Sequence, residues 1–215
     1  SRRQRQMCIR DSNYANAFLK RTMDFLGALF LLILCSPILL AAAIGVKLTS
    51  PGPVIFKQER VGLNKELFTM YKFRSMVVND QSNTAWSTNE DPRKTKFGAF
   101  IRKFSIDELP QLYNVLKGDM SLVGPRPELP YFVENFQKSV PLYMVKHQVK
   151  PGITGLAQVK GYRGDTSIPK RIEWDVYYIE NWSLFLDIKI LFMTVFKGLR
   201  NEEVLPVSEE KKKEK

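Results

Sequence analysis

Residues Phe25 to Val46 read FLGALFLLILCSPILLAAAIGV, a run of 22 residues without a charged side chain. At about 1.5 Å of rise per residue, a helix of that length just crosses a bilayer core of roughly 30 Å. Soluble helices rarely stay apolar all round for so long, which favours a membrane segment over a buried helix of a soluble domain. A cleaved signal peptide fits poorly: the run exceeds a signal h-region, and no A-x-A site leads into a disulfide-rich domain. Ser36-Pro37 lies near the middle. Pro37 removes a backbone donor and clashes with the carbonyl four residues earlier, so a kink is expected there. Lys20 and Arg21 precede the run, and Lys47, Lys57 and Arg60 follow it. Charge therefore gives no asymmetry, and both ends look cytoplasmic under the positive-inside rule. A broken, re-entrant helix satisfies the kink and the charges together; a kinked single span stays open.

Outward from the run, Asn13 to Lys20 suits a short surface helix, and residues 1–12 (SRRQRQMCIRDS) suit a disordered arm or a lead-in foreign to the domain. Ser50-Pro51-Gly52-Pro53 is a rigid stop. VIFKQERV, GLNK and ELFTMYKFR predict a β-hairpin with a four-residue turn, in which Lys72 and Arg74 project from one face. Asn79 to Lys96 is polar and loop-like around Trp86. Phe97–Phe104, Ser105–Leu116, Glu128 up to Pro141, Lys170–Glu180 and Ser183–Leu199 suit helices, and the stretch from Pro151 suits a loop and short strand ending near Lys160. In the last helix Ser183, Asp187, Thr194 and Lys197 form a narrow polar stripe. It suits either a buried core helix or one lying in a membrane interface with Trp182 at headgroup level.

The 215 residues carry 33 Lys plus Arg against 22 Asp plus Glu, a net charge of +11. Such a balance points to a polyanionic partner: nucleic acid, anionic lipid or a phosphorylated substrate. Residues 1–12 supply +3 and Glu209–Lys215 supply +1, leaving +7 for the body of the chain. Two cysteines, Cys8 and Cys35, are too few for a disulfide framework and fit a reducing environment. There is no GxxxxGK[ST] loop and no GxGxxG turn. His147 is the only histidine, which argues against a zinc site or a His-dependent triad and suits a structural or surface role. Basic residues are dispersed and no RNP-like motif is present, so nucleic acid finds little support.

The densest chemistry lies in FSIDELPQLYNVLKGDMSLVGPRPE, residues 104–128. Asp107 and Glu108 are adjacent acids at a predicted helix start. Ser105 with Glu108 three residues on reads as a capping box. The same N-terminus also suits phosphate. Neighbouring helical residues point about 100° apart, so two such acids suit separate tasks, such as attack by one and cation binding by the other. Pro125 and Pro127 bracket Arg126 and preset its fork of donors, which matches phosphate oxygens; a polyproline turn with a solvated Arg is the alternative. Lys72, Arg74, Arg102 and Lys103 are candidates to join a cationic cluster for a diphosphate.

Six blocks carry a resemblance: RTMDFLGALFLLILCSPILL, LTSPGPVIFKQERVG, MYKFRSM, SIDELPQLYNVLKGDMSLVGPRPE, VKPGITGLAQVKGYRGDT and RIEWDVYYIENWSLFLDIKIL. Over residues 17–200 the sequence resembles the bacterial sugar transferases, the monotopic polyprenyl-phosphate phosphoglycosyltransferases, and most of all the catalytic domain of undecaprenyl-phosphate glucose phosphotransferases. Those proteins usually add N-terminal membrane helices and a further domain, so a fragment or a minimal form is expected. The resemblance implies an α/β fold, helix-rich with a short β-hairpin, in a monotopic membrane protein with a kinked re-entrant helix and amphipathic interfacial helices. The implied division is a lead-in at 1–16, the re-entrant helix at 17–49, a cytoplasmic catalytic domain at 50–200 and a charged tail at 201–215.

The resemblance also implies a mechanism. Asp107 attacks the β-phosphate of a UDP-sugar and releases UMP; undecaprenyl phosphate then takes the sugar 1-phosphate from the aspartyl intermediate. Glu108 would bind Mg²⁺, Arg126 a substrate phosphate and Arg102 the lipid phosphate. Lys72 and Arg74 would assist with phosphate, Asp175 would support the site, and Ser36-Pro37 would form the membrane kink. The loop from Pro151 to Gly164 is a candidate for nucleoside contact. The implied partners are a UDP-sugar (glucose first, then galactose or an N-acetylated sugar), undecaprenyl phosphate and the inner leaflet of a bacterial cytoplasmic membrane. Nucleic acid is not implied, and a homo-oligomer is left open. Leu156 departs from the pattern, standing where relatives often have an aromatic residue, which loosens any inference about the sugar. A different class also remains: a non-enzymatic, membrane-anchored basic scaffold for anionic lipid or assembly partners.

Overall fold

The computed structural model describes residues 13–77, 93–164 and 166–198. The expected arm at 1–12, the tail at 201–215 and most of the polar stretch around Trp86 lie outside them. Helix α1 spans Asn13–Leu34 without a break, so no separate short helix precedes the apolar run, and α1 begins inside the expected lead-in. It ends at Cys35, and α2 runs Ser36–Thr49 with Pro37 in its first turn, where the missing N–H costs nothing. The two axes are bent by 63°. Ser36 Oγ turns back to donate to the Ile33 carbonyl at 2.8 Å, taking one of the carbonyls that the break strands. Among the described residues no single helix is long and apolar enough to cross a membrane, but the bent pair together carries that length and apolarity.

Strands β1 (Ile55–Val61) and β2 (Leu67–Phe73) form the expected antiparallel hairpin, with Ile55 opposite Phe73 and Val61 opposite Leu67. The turn has five residues rather than four, because Asn64 and Lys65 adopt left-handed φ angles of 52° and 66°. Helix α3 (Lys96–Lys103) is capped by Thr95 Oγ1, which accepts from Gly98 N at 2.8 Å. The expected helix at 105–116 is in two pieces: a 3₁₀ turn at Ile106–Glu108 and α4 at Gln111–Lys117, ended by Gly118 at φ 101°. Strand β3 (Ser121–Val123), unforeseen in the sequence, pairs parallel with β4 (Gly152–Thr154). Only three residues long and wholly buried, β3 shows no alternation to read. A Cβ on Gly152 would collide with the backbone of Gly124, so glycine lets these two segments touch. Helices α5 (Pro130–Ser139), α6 (Leu156–Val159), α7 (Ile168–Glu180) and α8 (Leu184–Gly198) complete the fold. The main core gathers Ala28, Leu112, Val115, Met120, Leu122, Tyr178 and Ile190 from α1, α4, β3, α7 and α8.

A polar seam ties α1 to the rest. Lys20 Nζ donates to Asp187 Oδ2 at 2.6 Å and to the Val123 carbonyl at 3.1 Å. Arg21 donates to the carbonyls of Val115 and Leu116 at 2.6 and 2.8 Å, satisfying the C-terminus of α4. Asp24 Oδ1 accepts from Ser121 Oγ and Leu122 N, holding β3 from the side. Asp187 is fully buried and also takes Tyr178 OH at 2.7 Å and Trp182 Nε1 at 3.2 Å. Of the stripe on α8, Asp187 and Thr194 therefore face inward, with Thr194 Oγ1 2.7 Å from Thr154 Oγ1, whereas Ser183 is exposed, and Phe185, Ile188, Phe192 and Phe196 point outward and are exposed. Of the two sequence options the polar side fits a core contact and the apolar side an apolar exterior.

Removing a buried carboxylate strands its donors. Asp187→Ala is therefore expected to cost roughly 3–5 kcal/mol. Thermal unfolding in detergent checks this, with Phe185→Ala on the exposed side of the same helix expected to change little.

Candidate active site

Asp107 and Glu108 sit on one tight reversal. After α3 the chain turns through Ser105, which adopts a left-handed φ of 55°, and the two acids fill the 3₁₀ turn that follows. Both are buried, at 7% and 6% exposure. The capping box does not form. Ser105 Oγ accepts from Arg163 Nη1 at 3.0 Å, and only the main-chain bond from Glu108 N to the Ser105 carbonyl, 3.1 Å, remains of the motif. The left-handed Ser105 aims its hydroxyl away from the turn, so the acids are free for other partners. Nor do they open a long helix, since α4 begins three residues after Glu108 and has only seven residues.

Glu108 collects cations from three segments on one oxygen. Arg126 Nη2 lies 2.7 Å from Glu108 Oε1, Lys72 Nζ 3.2 Å and Arg163 Nη2 3.5 Å. Lys72 comes from β2, Arg126 from the proline-bracketed stretch after β3, and Arg163 from the loop after α6. Asp107 Oδ1, by contrast, is buried and has no hydrogen-bond partner. The two adjacent acids are thus pushed in opposite directions. Burial by itself would raise Glu108, but Arg126, Lys72 and Arg163 overcome it and hold the carboxyl well below its usual range. Burial raises Asp107, the Glu108 charge adds to the rise, and Lys72, Arg102 and Arg163 oppose it. The pair thus sets a carboxylate held by cations beside one whose buried oxygen has no donor, two environments that suit different tasks.

Among the described residues no group of three or more His, Cys, Asp or Glu side chains gathers to hold a metal. Two adjacent carboxylates still suit Mg²⁺, which is usually bound by one or two carboxylates plus substrate oxygens. All three cations fall on Oε1 of Glu108, and Asp107 Oδ1 faces no donor, so the residues present fit such an ion.

The other expected site residues divide. Arg102, at the end of α3, is near enough to pull on the Asp107 carboxyl. Arg74 goes elsewhere: it lies just past the end of β2, buried, with Nη2 donating to the Ser50 carbonyl at 2.7 Å and to Ser50 Oγ at 2.9 Å. The shared-face expectation assumed that β2 continued, but the strand stops at Phe73. Asp175 is buried in a second ionic group, 3.9 Å from Lys146 Nζ, which itself lies 3.7 Å from Glu128 Oε1. Burial pushes Asp175 up to about 6. His147 is structural: its Nδ1 lies 3.3 Å from the Gly62 carbonyl, and burial pushes the imidazole down to about 4, so it is neutral. Leu156 packs in the main core at 6% exposure, so its departure from the aromatic pattern bears on packing. Arg163 was singled out only as part of the Pro151–Gly164 loop expected to contact a nucleoside, not as a partner of Glu108; Glu128, Lys146 and Arg171 had no role assigned from the sequence, because each acts through partners distant in the chain.

The family model described as bacterial sugar transferase matches residues 15–201. The chain is similar to the UDP-glucose:undecaprenyl-phosphate glucose-1-phosphate transferase of Escherichia coli K12, 50% identical over 193 residues, covering 87% of this chain and 41% of that protein. It is 52% identical over 182 residues to the UDP-N-acetylgalactosamine-undecaprenyl-phosphate N-acetylgalactosaminephosphotransferase of Aeromonas hydrophila, covering 83% of this chain and 43% of the relative. It is 44% identical over 190 residues to the exopolysaccharide production protein PSS of Rhizobium leguminosarum bv. phaseoli, covering 84% of this chain and 95% of that protein. The chain therefore spans about two fifths of the length of the first two relatives and nearly the whole of the third.

Burial pulls the Lys72 ammonium down to about 8, against an opposing pull from Glu108. Its charge is present below that pH and lost above it. Affinity for UDP, used as a diphosphate probe, is expected to fall as pH rises through about 8 in a titration-calorimetry series. Lys72→Arg, which keeps its charge throughout, should abolish the fall. A pH-independent affinity in the unsubstituted protein would remove Lys72 from the site.

Proposed function

The chain belongs to the bacterial sugar transferase family, and we propose that it moves a sugar 1-phosphate from a UDP-sugar to undecaprenyl phosphate and releases UMP. The observation that carries this reading is the split of the acid pair: Glu108 held by three cations, Asp107 with a buried oxygen that no donor occupies. The Asp107 carboxylate attacks the β-phosphorus of the donor. The bond from that phosphorus to the bridging oxygen breaks, the oxygen leaves on UMP, and a sugar phosphate stays bonded to Asp107. An oxygen of undecaprenyl phosphate then attacks the same phosphorus. The bond to Asp107 breaks, its carboxylate is regenerated, and the product is a lipid diphospho-sugar. Dividing the transfer lets a soluble and a membrane-bound substrate use one site in turn.

Arg126, Lys72 and Arg163, which converge on Glu108, would meet the donor's phosphate oxygens, and Arg102 would meet the lipid phosphate. Cations converging on a developing charge stabilise it without reorganising during the reaction. Glu108, with Asp107 beside it, would hold Mg²⁺, which screens the diphosphate and stabilises charge on the departing oxygen when bound. UDP-glucose is the first donor to test, from the likeness to the E. coli enzyme; the likeness to the A. hydrophila enzyme makes UDP-N-acetylgalactosamine the second. The likeness to an exopolysaccharide production protein supports a role in starting polysaccharide assembly.

The bent pair α1–α2 is proposed as a re-entrant membrane element that leaves the domain on the cytoplasmic face of the inner membrane. Both its ends meet the same domain. Lys20 and Arg21 tie the start to α8 and α4, while Ala42 and Val46 near the end pack with Phe73 and Ile101. Between them Phe25, Leu29, Phe30, Ile33 and Leu40 are exposed, an apolar surface suited to lipid.

Asp107→Asn is expected to cut UMP release by about 10⁴-fold or more while the protein stays folded and membrane-bound. The measurement is UMP release across a panel of UDP-sugars with undecaprenyl phosphate and Mg²⁺. Full turnover by that variant would refute the nucleophile, and silence of the unsubstituted protein with every donor would favour the scaffold. Single cysteines placed near residues 16 and 49, in a background with both Cys8 and Cys35 replaced by Ser, should both react with an impermeant thiol reagent from the cytoplasmic side. Labelling from opposite sides would refute the re-entrant path.

A further inference from the structure

Two short loops bring arginines to Glu108. Arg126 follows β3 between two prolines, and Arg163 lies between Gly161 and Gly164, whose φ angles of 93° and 72° belong to glycine's left-handed range. Neither arginine stands on a helix or strand, although both must hold their guanidinium groups against one carboxylate oxygen. The first loop is partly fastened to the hairpin, through Val61 N donating to the Glu128 carbonyl at 3.0 Å and Arg60 Nη1 to the Pro127 carbonyl at 3.3 Å.

Arg171, on α7, fastens both loops. It is 3% exposed. Its Nη1 donates to Glu128 Oε1 at 3.1 Å. Its Nη2 donates to the Gly164 carbonyl at 2.7 Å and to Thr166 Oγ1 at 3.3 Å. Glu128 is two residues past Arg126, and Gly164 is the residue after Arg163. One rigid guanidinium therefore spans the gap between the two arms, one terminal nitrogen on each. A lysine ammonium is a compact point charge on a flexible stem and lacks the two fixed terminal nitrogens that meet the two arms here. Lys146, 3.7 Å from Glu128 Oε1, adds charge on one side of this clasp and does not bridge it.

We infer that Arg171 is a positioning residue for the diphosphate: it sets the spacing of Arg126 and Arg163 across the mouth of the site. The inference rests on the proposed use of a UDP-sugar. Arginines presented by unfastened loops lose side-chain and backbone freedom only on binding, so the clasp acts by ordering them beforehand.

The test uses the full chain in detergent, with UDP affinity by calorimetry, UMP release kinetics and thermal unfolding followed together. Arg171→Lys is expected to weaken UDP binding and raise the donor KM by about tenfold, as for loss of a charge-assisted hydrogen bond, with a smaller change in kcat. In an Arg126→Ala background the same substitution should cost about threefold or less, because one of the arms it positions is gone. Glu128→Gln opens the clasp from the other side, without removing the guanidinium, and should weaken UDP binding in the same direction; it serves if Arg171→Lys does not fold. Unchanged UDP affinity in the folded variants overturns the inference. So does an equal loss in both backgrounds, which would mean a general structural role. No UMP release from the unsubstituted protein, with UDP affinity intact, would overturn the transferase reading, and the binding measurements would still decide on the clasp.

Discussion

Glu108 takes Arg126, Lys72 and Arg163 on a single carboxylate oxygen, at 2.7, 3.2 and 3.5 Å. Burying a carboxylate costs several kcal/mol unless its partners are held in good geometry, and here the partners come from three segments far apart in sequence. That requirement organises the part of the molecule around the acid pair. The hairpin delivers Lys72, the short β3–β4 pair sets where the proline-bracketed arm begins, and α6 and α7 hold the loop of Arg163. Asp107 inherits its character from the same arrangement. Its neighbour takes the cations by direct contact, so Asp107 keeps a buried oxygen with no donor, and burial together with the Glu108 charge raises its carboxyl.

The same arm is held from the opposite side by the first helix. Asp24 bonds Ser121 Oγ and Leu122 N, and Lys20 bonds the Val123 carbonyl, so all three residues of β3 touch α1 through hydrogen bonds. Gly124 and Pro125 follow directly, and then Arg126. Displacing the apolar helix would therefore release the strand that leads into Arg126. Its partner Asp187 sits inside a ring of donors while the opposite side of α8 exposes phenylalanines, which inverts the usual arrangement of a soluble amphipathic helix.

Much of this was legible from local rules. The break at Ser36-Pro37 follows from the sterics of proline, and the hairpin from alternation on both sides of a turn. The acids and Arg126 stood out by residue type and spacing. What local rules got wrong was Ser105. A Ser three residues before a Glu satisfies the capping pattern, yet a left-handed backbone at Ser105 and an arginine 58 residues away take both side chains elsewhere. Arg74 failed for a similar reason, since the strand that would have carried it beside Lys72 ends one residue too soon.

The sequence by itself therefore determined the elements whose causes lie within a few residues: the kinked apolar helix, the hairpin, the acid pair and the proline-bracketed arginine. Tertiary structure alone decided which way the stripe on α8 faces, that Arg163 joins the site and that Arg171 links the two arms. The physical reason is that a polar stripe looks the same whether the apolar side meets a core or an apolar exterior. Only a partner such as Lys20, 167 residues away, breaks that symmetry, and a pairing over that distance leaves no local pattern in the chain.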